Sequence, residues 1–205
     1  GDVYKRQILR EKRLFIQAPT GTGKTLAAMF PSVKAMGEGL SDKIFYLTAK
    51  TITRTVASSC LDLLREQKLR MKSVLLTAKE KMCPLEEMNC NPDACPYASG
   101  HFDRINDAVF EILNTDQDQM TRKILQNHAE KWQVCPFELS LDVSTWADTI
   151  ICDYNYAFDP RAHLKRFFYE GAKEDYIFLI DEAHNLVERA RTMYSCLLYT
   201  SPSPR

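Results

Sequence analysis

No stretch of this sequence comes near the ~20 consecutive apolar residues that a membrane-spanning helix needs, and no basic-then-apolar leader stands at its start. A cytoplasmic protein is expected. Neither sign of charge dominates, with 27 Lys and Arg against 27 Asp and Glu, so any binding of a polyanion has to rest on a local groove and not on bulk attraction. The seven cysteines include no Cys-x2-Cys pair, which disfavours the paired knuckles of a structural zinc site. A cytosolic setting likewise disfavours a disulfide framework. No initiator methionine opens the chain. Residues 1–7 and 196–205 resemble translated adapter sequence and are expected to be non-native, a natural unpacked tail being the plainer alternative. The 205 residues suffice for one sizeable domain, or one domain with an insertion.

What is present begins with Ala18-Pro-Thr-Gly-Thr-Gly-Lys-Thr25, between the apolar run Leu14-Phe15-Ile16 and the helix-prone run Leu26 to Phe30. Gly21 and Gly23 permit backbone angles that turn several N–H groups toward an anion, and the following helix aims its positive end at the same point. Lys24 adds a cation and Thr25 a hydroxyl that can ligate magnesium, so Thr20, Gly21, Thr22, Gly23, Lys24 and Thr25 form a candidate P-loop for ATP and Mg2+. Ala18 stands where the strict pattern has glycine.

Beyond Gly37 and Gly39, Lys43 to Thr48 reads as a buried strand. It leads into a helix that Thr51 or Thr53 can cap. Ligand crevices of α/β sheets lie at the carboxyl ends of strands, so Thr48, Lys50, Thr51 and Arg54 are candidates to meet a nucleic-acid backbone, or else form a solvated helix start. Ser73 to Leu76 reads as a short strand.

From about Lys81 the character changes. Cys83, Cys90 and Cys95 fall within thirteen positions, and Cys135 follows a polar, helix-prone stretch containing Phe110, Leu113, Met120 and Leu125. Four thiolates can hold one metal centre, and a cubane iron-sulfur cluster accepts irregular spacing because each sulfur meets a different iron. Proline follows Cys83, Cys95 and Cys135 but not Cys60, Cys152 or Cys196, which separates two populations. Cys60 and Cys152 read as small core residues. His101 is a competing fourth ligand, although a single His in a polar stretch reads first as a surface residue.

Phe137 to Ala147 has helical spacing, and Ala147 to Asp153 supplies another buried strand. The aromatic segment Asp153 to Pro160 could stack on bases, with Asn155 on a phosphate or sugar, or could be core. Finally Tyr176-Ile-Phe-Leu-Ile180 ends in two adjacent acids. Asp181 would hold the magnesium, directly or through water, and Glu182 would orient and deprotonate the water that attacks a γ-phosphate.

Taken together, the P-loop, the segment Thr48 to Arg54, the four-cysteine module and Asp181-Glu-Ala-His184 resemble, in that order, the iron-sulfur helicases of superfamily 2, the DinG-like and XPD-like group. The resemblance runs from about Ile8 to Tyr194. It implies an α/β, RecA-like P-loop domain over residues 8–80 and 139–195, with a parallel sheet flanked by helices, interrupted at 81–138 by a mainly helical iron-sulfur module. It also implies a 5′-to-3′ DNA helicase driven by ATP hydrolysis and acting on single-stranded and forked DNA. A [4Fe-4S] cluster at the point of duplex separation would be held by Cys83, Cys90, Cys95 and Cys135. Lys24, Thr25, Asp181 and Glu182 would carry the nucleotide chemistry, and His184 would couple it to motion. The family continues into an arch domain and a second RecA-like domain that bears an arginine finger, so the chain reads as the front portion of such a helicase, with little activity alone. A non-catalytic, cluster-bearing nucleic-acid sensor switched by ATP is the alternative from another class, and intact Lys24, Asp181 and Glu182 argue against it.

Overall fold

The computed structural model of the chain describes residues 6, 8, 10, 13–17, 23–169, 171 and 174–198, with side chains as far as 195. Its regular elements in chain order are α1 (Lys24–Gly37), β1 (Lys43–Leu47), α2 (Thr51–Glu66), β2 (Ser73–Leu75), α3 (Lys79–Met82), α4 (His101–Leu113), β3 (Gln119–Met120), α5 (Arg122–Trp132), α6 (Pro136–Trp146), β4 (Thr149–Cys152), α7 (Asn155–Phe158), β5 (Tyr176–Ile180), a 3-10 turn (Ala183–Asn185) and α8 (Leu186–Leu198). The strand order is β3-β2-β4-β1-β5, and the pairings β1 with β5, β2 with β3 and β2 with β4 are parallel. This is the α/β architecture expected of a RecA-like domain. The chain divides into two compact units, Gly1–Leu61 with Cys152–Arg205, and Asp62–Ile151. No helix among the described residues is long and apolar enough to cross a membrane.

In the first unit α1 ends where Gly39 takes φ +75°, a left-handed angle that favours glycine. Gly39 then donates to the Met36 carbonyl at 2.9 Å and Leu40 to the Ala35 carbonyl at 3.0 Å, closing the helix end. All five residues of β1 are buried, as the near-continuous apolar run of a strand covered on both faces requires. It pairs with β5 in the register Lys43↔Tyr176 through Leu47↔Ile180. Phe45, fully buried, stacks on Phe178 with centroids 5.3 Å apart and meets Phe167, Phe168 and Tyr176 at 5.2 to 5.4 Å.

In the second unit β2 lies between β3 and β4, pairing Ser73 with both Gln119 and Thr149. Arg65 fastens this edge, its guanidinium donating to the carbonyls of Met71 and Asp118, both at 3.0 Å, and to the Ser73 hydroxyl at 2.7 Å. Helices α4, α5 and α6 pack on one another through Ile105, Ala108, Ile112, Leu125, Ala129, Leu139 and Val143, all buried. Strand β3 departs from the helix-prone reading of its stretch. Met120 is fully buried beside Val74, and ladder bonding with a burial site outweighs local helix propensity there.

Phe45→Ala removes the centre of the aromatic cluster. It is expected to lower the stability of the first unit by about 3 to 5 kcal/mol, measured as a fall in the midpoint of urea denaturation.

Candidate functional site

Thr20, Gly21 and Thr22, with Ala18 and Pro19, lie outside the described residues. From Gly23 onward the loop exit is visible. Gly23 has φ +72° and accepts the first helical bond, Ala27 N–H to its carbonyl at 2.9 Å. Lys24 is the first residue of α1, and the first turn carries no acid, so nothing of the helix's own offsets the positive end it offers to an anion.

Strand β1 carries the other half of this corner. The Tyr46 side chain, only 3% exposed, lies within reach of the side chains of Thr25 and Asp181, both of which act on its phenol. Burial, more than the neighbouring Asp181 charge, pushes the phenol well above its ordinary pKa, so it stays a neutral hydroxyl. Asp181 follows β5 directly, and its backbone N–H donates to the Leu47 carbonyl at 2.9 Å. The parallel register therefore delivers Asp181 to the carboxyl end of β1 and, through Tyr46, joins it to Thr25.

Glu182 adopts φ +52°, ψ +43°, a left-handed geometry costing a non-glycine residue roughly 1 to 2 kcal/mol. Its carboxylate lies 3.4 Å from Nε2 of His184, which is 71% exposed. The backbone of this turn is held by Tyr154, a fully buried side chain whose hydroxyl donates to the Asp181 carbonyl and, at 3.1 Å, to that of Glu182. Burial and then the charges of Asp181 and Glu182 push Tyr154 up to about 12. The aromatic segment from Asp153 to Pro160, open from sequence as either core or base-stacking, thus contributes Tyr154 to the core. Asn155 has its Oδ1 buried with no hydrogen-bond partner among the described residues.

The four residues expected to meet a nucleic-acid backbone divide. Lys50 and Thr51 are exposed. Thr48 is fully buried, its hydroxyl shared with Thr53, so it supports the turn and offers no surface. Arg54 is paired with Asp153 at 3.1 Å, and the same carboxylate receives both 2.9 Å bonds of Arg189. Neither Tyr46 nor the Asp153–Arg189 pair was found from sequence. A lone hydroxyl inside the apolar run Lys43 to Leu47 was the available signal for Tyr46.

The second unit gathers the cysteines. Cys83, Cys90, Cys95 and Cys135 all line one cavity of about 240 Å³, and Cys60 and Cys152 do not. Cys83 follows α3 and Cys135 precedes Pro136 at the start of α6. Burial raises the pKa of the Cys135 thiol. Cys60 and Cys152 are buried, and burial raises both thiols, matching their reading as core residues. Among the described residues no three His, Cys, Asp or Glu side chains converge as ligands of a single metal ion. His101 departs from its surface reading. It is 7% exposed, its Nδ1 accepts the Cys135 N–H at 3.2 Å, and burial lowers its pKa so that the ring is held neutral. A histidine at the first position of a helix with an apolar face was placed inward by that face, which a polar local context conceals.

Comparison with known proteins gives three kinds of likeness. The DEAD_2 family model matches residues 48–201, well over half of the chain. A regulator of telomere elongation helicase 1 homolog from Anopheles gambiae is 32% identical over 71 residues, which is 35% of this chain and 7% of the relative. A solved XPD helicase shares 23% identity and a TM-score of 0.58 over 91% of this chain and 32% of its own; a truncated XPD shares 23% and 0.61 over 90% and 52%. The chain thus spans between a few per cent and about half of the length of these relatives. The parallel α/β sheet agrees with the fold of the two solved structures, and the match over residues 48–201 shows that the chain belongs to the DEAD_2 family.

Proposed function

We propose that this chain is the nucleotide-binding part of an ATP-dependent 5′-to-3′ DNA helicase. The observation that carries the reading is the joining of Thr25 to Asp181 through Tyr46 at the ends of two parallel strands, since a P-loop hydroxyl and an acidic strand end are the two protein ligands that magnesium takes in such sites. Lys24 would neutralise the β- and γ-phosphates, together with Thr20 to Gly23. Thr25 and Asp181 would hold magnesium, which would supply charge neutralisation on the transferred phosphoryl oxygens. Glu182 would orient the attacking water and take its proton. His184, beside Glu182 and exposed, would pass the change in that carboxylate's surroundings outward. Lys50, Thr51 and Arg54 would meet the backbone of single-stranded or forked DNA, with Thr48 holding their turn.

In the second unit Cys83, Cys90, Cys95 and Cys135 would hold a [4Fe-4S] cluster. Four thiols border one cavity and two other buried thiols lie elsewhere. Distributed sulfur donors suit a cluster whose irons are ligated one by one better than a single ion. Cys135 and its partners would lose their protons on ligation. Residues 81–138 would then be the iron-sulfur module and residues 8–80 with 139–195 the motor domain, completed by an arch domain and a second RecA-like domain.

Two outcomes are expected. Protein purified without oxygen should be brown and contain iron and sulfide. Cys135→Ser should lose both, Cys152→Ser should keep both, and a colourless protein with one equivalent of zinc would refute the cluster. Cluster loss should also leave Cys90, the one exposed thiol of the four, open to rapid alkylation. As for catalysis, the chain should bind fluorescent ATP yet release phosphate slowly even with single-stranded DNA. The arginine finger assigned to the facing domain is worth 10³ to 10⁵ in rate, roughly 4 to 7 kcal/mol. DNA-stimulated turnover of ~1 s⁻¹ or faster, abolished by Lys24→Ala, would show that the chain needs no second domain.

A further inference from the structure

Three consecutive residues, the last of β4 and the two that follow it, hold three parts of the first unit at once. The Cys152 carbonyl accepts the Thr48 N–H at 3.0 Å. Asp153, 15% exposed, binds Arg54 of α2 through one oxygen at 3.1 Å and Arg189 of α8 through both oxygens at 2.9 Å. Tyr154, fully buried, donates its hydroxyl to the carbonyls of Asp181 and Glu182. We propose that Asp153 and Tyr154 are positioning residues that couple occupancy of the nucleotide site to DNA binding: Tyr154 fixes the turn bearing the water-activating carboxylate, and Asp153 fixes the arginine that faces the DNA backbone. The proposal rests on the ATP and DNA reading given above.

The geometry explains why this is a coupling and not only a brace. One carboxylate faces two guanidinium groups. The Nε of Arg54 and the Nε of Arg189 are both buried without an acceptor among the described residues. Such a cluster is not closed, and a backbone phosphate presents the acceptor oxygens that the arginines lack. A phosphate that draws Arg54 away leaves Asp153 to Arg189 alone. Asp153 and Tyr154 share a peptide bond, so a shift of one moves the anchor of the other, and Tyr154 holds Glu182 in a left-handed conformation that no local preference supports. Displacement at the DNA side is therefore felt at the carboxylate side. By linkage the reverse holds equally, because nucleotide that reshapes the Asp181–Glu182 turn must change the affinity for DNA by the same factor.

The test is a thermodynamic cycle on the 205-residue chain. The Kd of a fluorescent ATP analogue with magnesium is measured with and without saturating poly-dT oligonucleotide, and the Kd of labelled poly-dT with and without the analogue. Both ratios are expected to agree and to be at least about fivefold. Tyr154→Phe, which keeps the buried ring and removes only the hydroxyl, should bring the ratio to one, and so should Asp153→Asn, at whatever separate affinity each variant retains. A deletion that merely weakened the fold would lower both affinities and leave the ratio in place. Should Asp153→Asn fail to give the circular dichroism spectrum of the unaltered chain, Tyr154→Phe decides. A ratio unchanged in Tyr154→Phe overturns the proposal, as does a ratio of one in the unaltered chain when both ligands bind. Failure to bind ATP analogue or poly-dT at all would instead refute the helicase reading, and the coupling with it.

Discussion

The parallel pairing of β1 with β5 is the constraint on which the candidate site depends. Five residues in register, from Lys43 with Tyr176 to Leu47 with Ile180, fix the level at which β5 ends. The next bond of that ladder, Asp181 N–H to the Leu47 carbonyl, brings an acidic side chain to the edge where the chain from β1 turns toward α2. A slip of one residue would send Asp181 to the opposite face, since side chains alternate along a strand. Phe45 and the rings around it resist that slip, because a displaced register would expose them.

Two phenols then set the details of the corner. Tyr46 and Tyr154 are buried and kept neutral by burial, so each can donate a hydrogen bond without placing a second negative charge beside Asp181 and Glu182. Tyr46 acts on the side chains of Thr25 and Asp181, and Tyr154 on the backbone carbonyls that follow. The division lets the side chains of Thr25 and Asp181 and the strained Glu182 turn be held by different groups. In the second unit the cysteine cavity depends on separate supports, the α4–α5–α6 packing and the bond from Cys135 to His101. Its integrity can therefore be probed separately from the corner formed by Thr25, Tyr46 and Asp181.

What was legible in the sequence was what short patterns encode. The buried strands announced themselves by apolar runs, the loop exit by Gly23-Lys24-Thr25, the acidic strand end by Asp181 and Glu182, and the four cavity cysteines by their spacing and by the prolines after three of them. Pairings between distant residues were hidden. Asp153 meets Arg54 at a separation of 99 residues and Arg189 at 36, and no local period records either contact. Arg54 looked like a surface cation for that reason, and Thr48 like an exposed hydroxyl, although the strand end buries it. Strand β3 was missed because two residues suffice to pair with β2, far below the length at which alternation is visible. His101 and Tyr154 were ambiguous for a common cause: an amphipathic side chain reads the same in sequence whether its polar atom meets water or a backbone group.

The central claim is that Thr25 and Asp181 share a magnesium ion with bound ATP. Titration of a fluorescent ATP analogue into the unaltered chain and into Asp181→Asn, each with magnesium and with chelator, measures it directly. The account predicts that magnesium strengthens binding at least about tenfold in the unaltered chain, equivalent to 1.4 kcal/mol, and has little effect in the variant. Binding that is indifferent to magnesium in the unaltered chain, or equally enhanced by it in Asp181→Asn, would contradict the account.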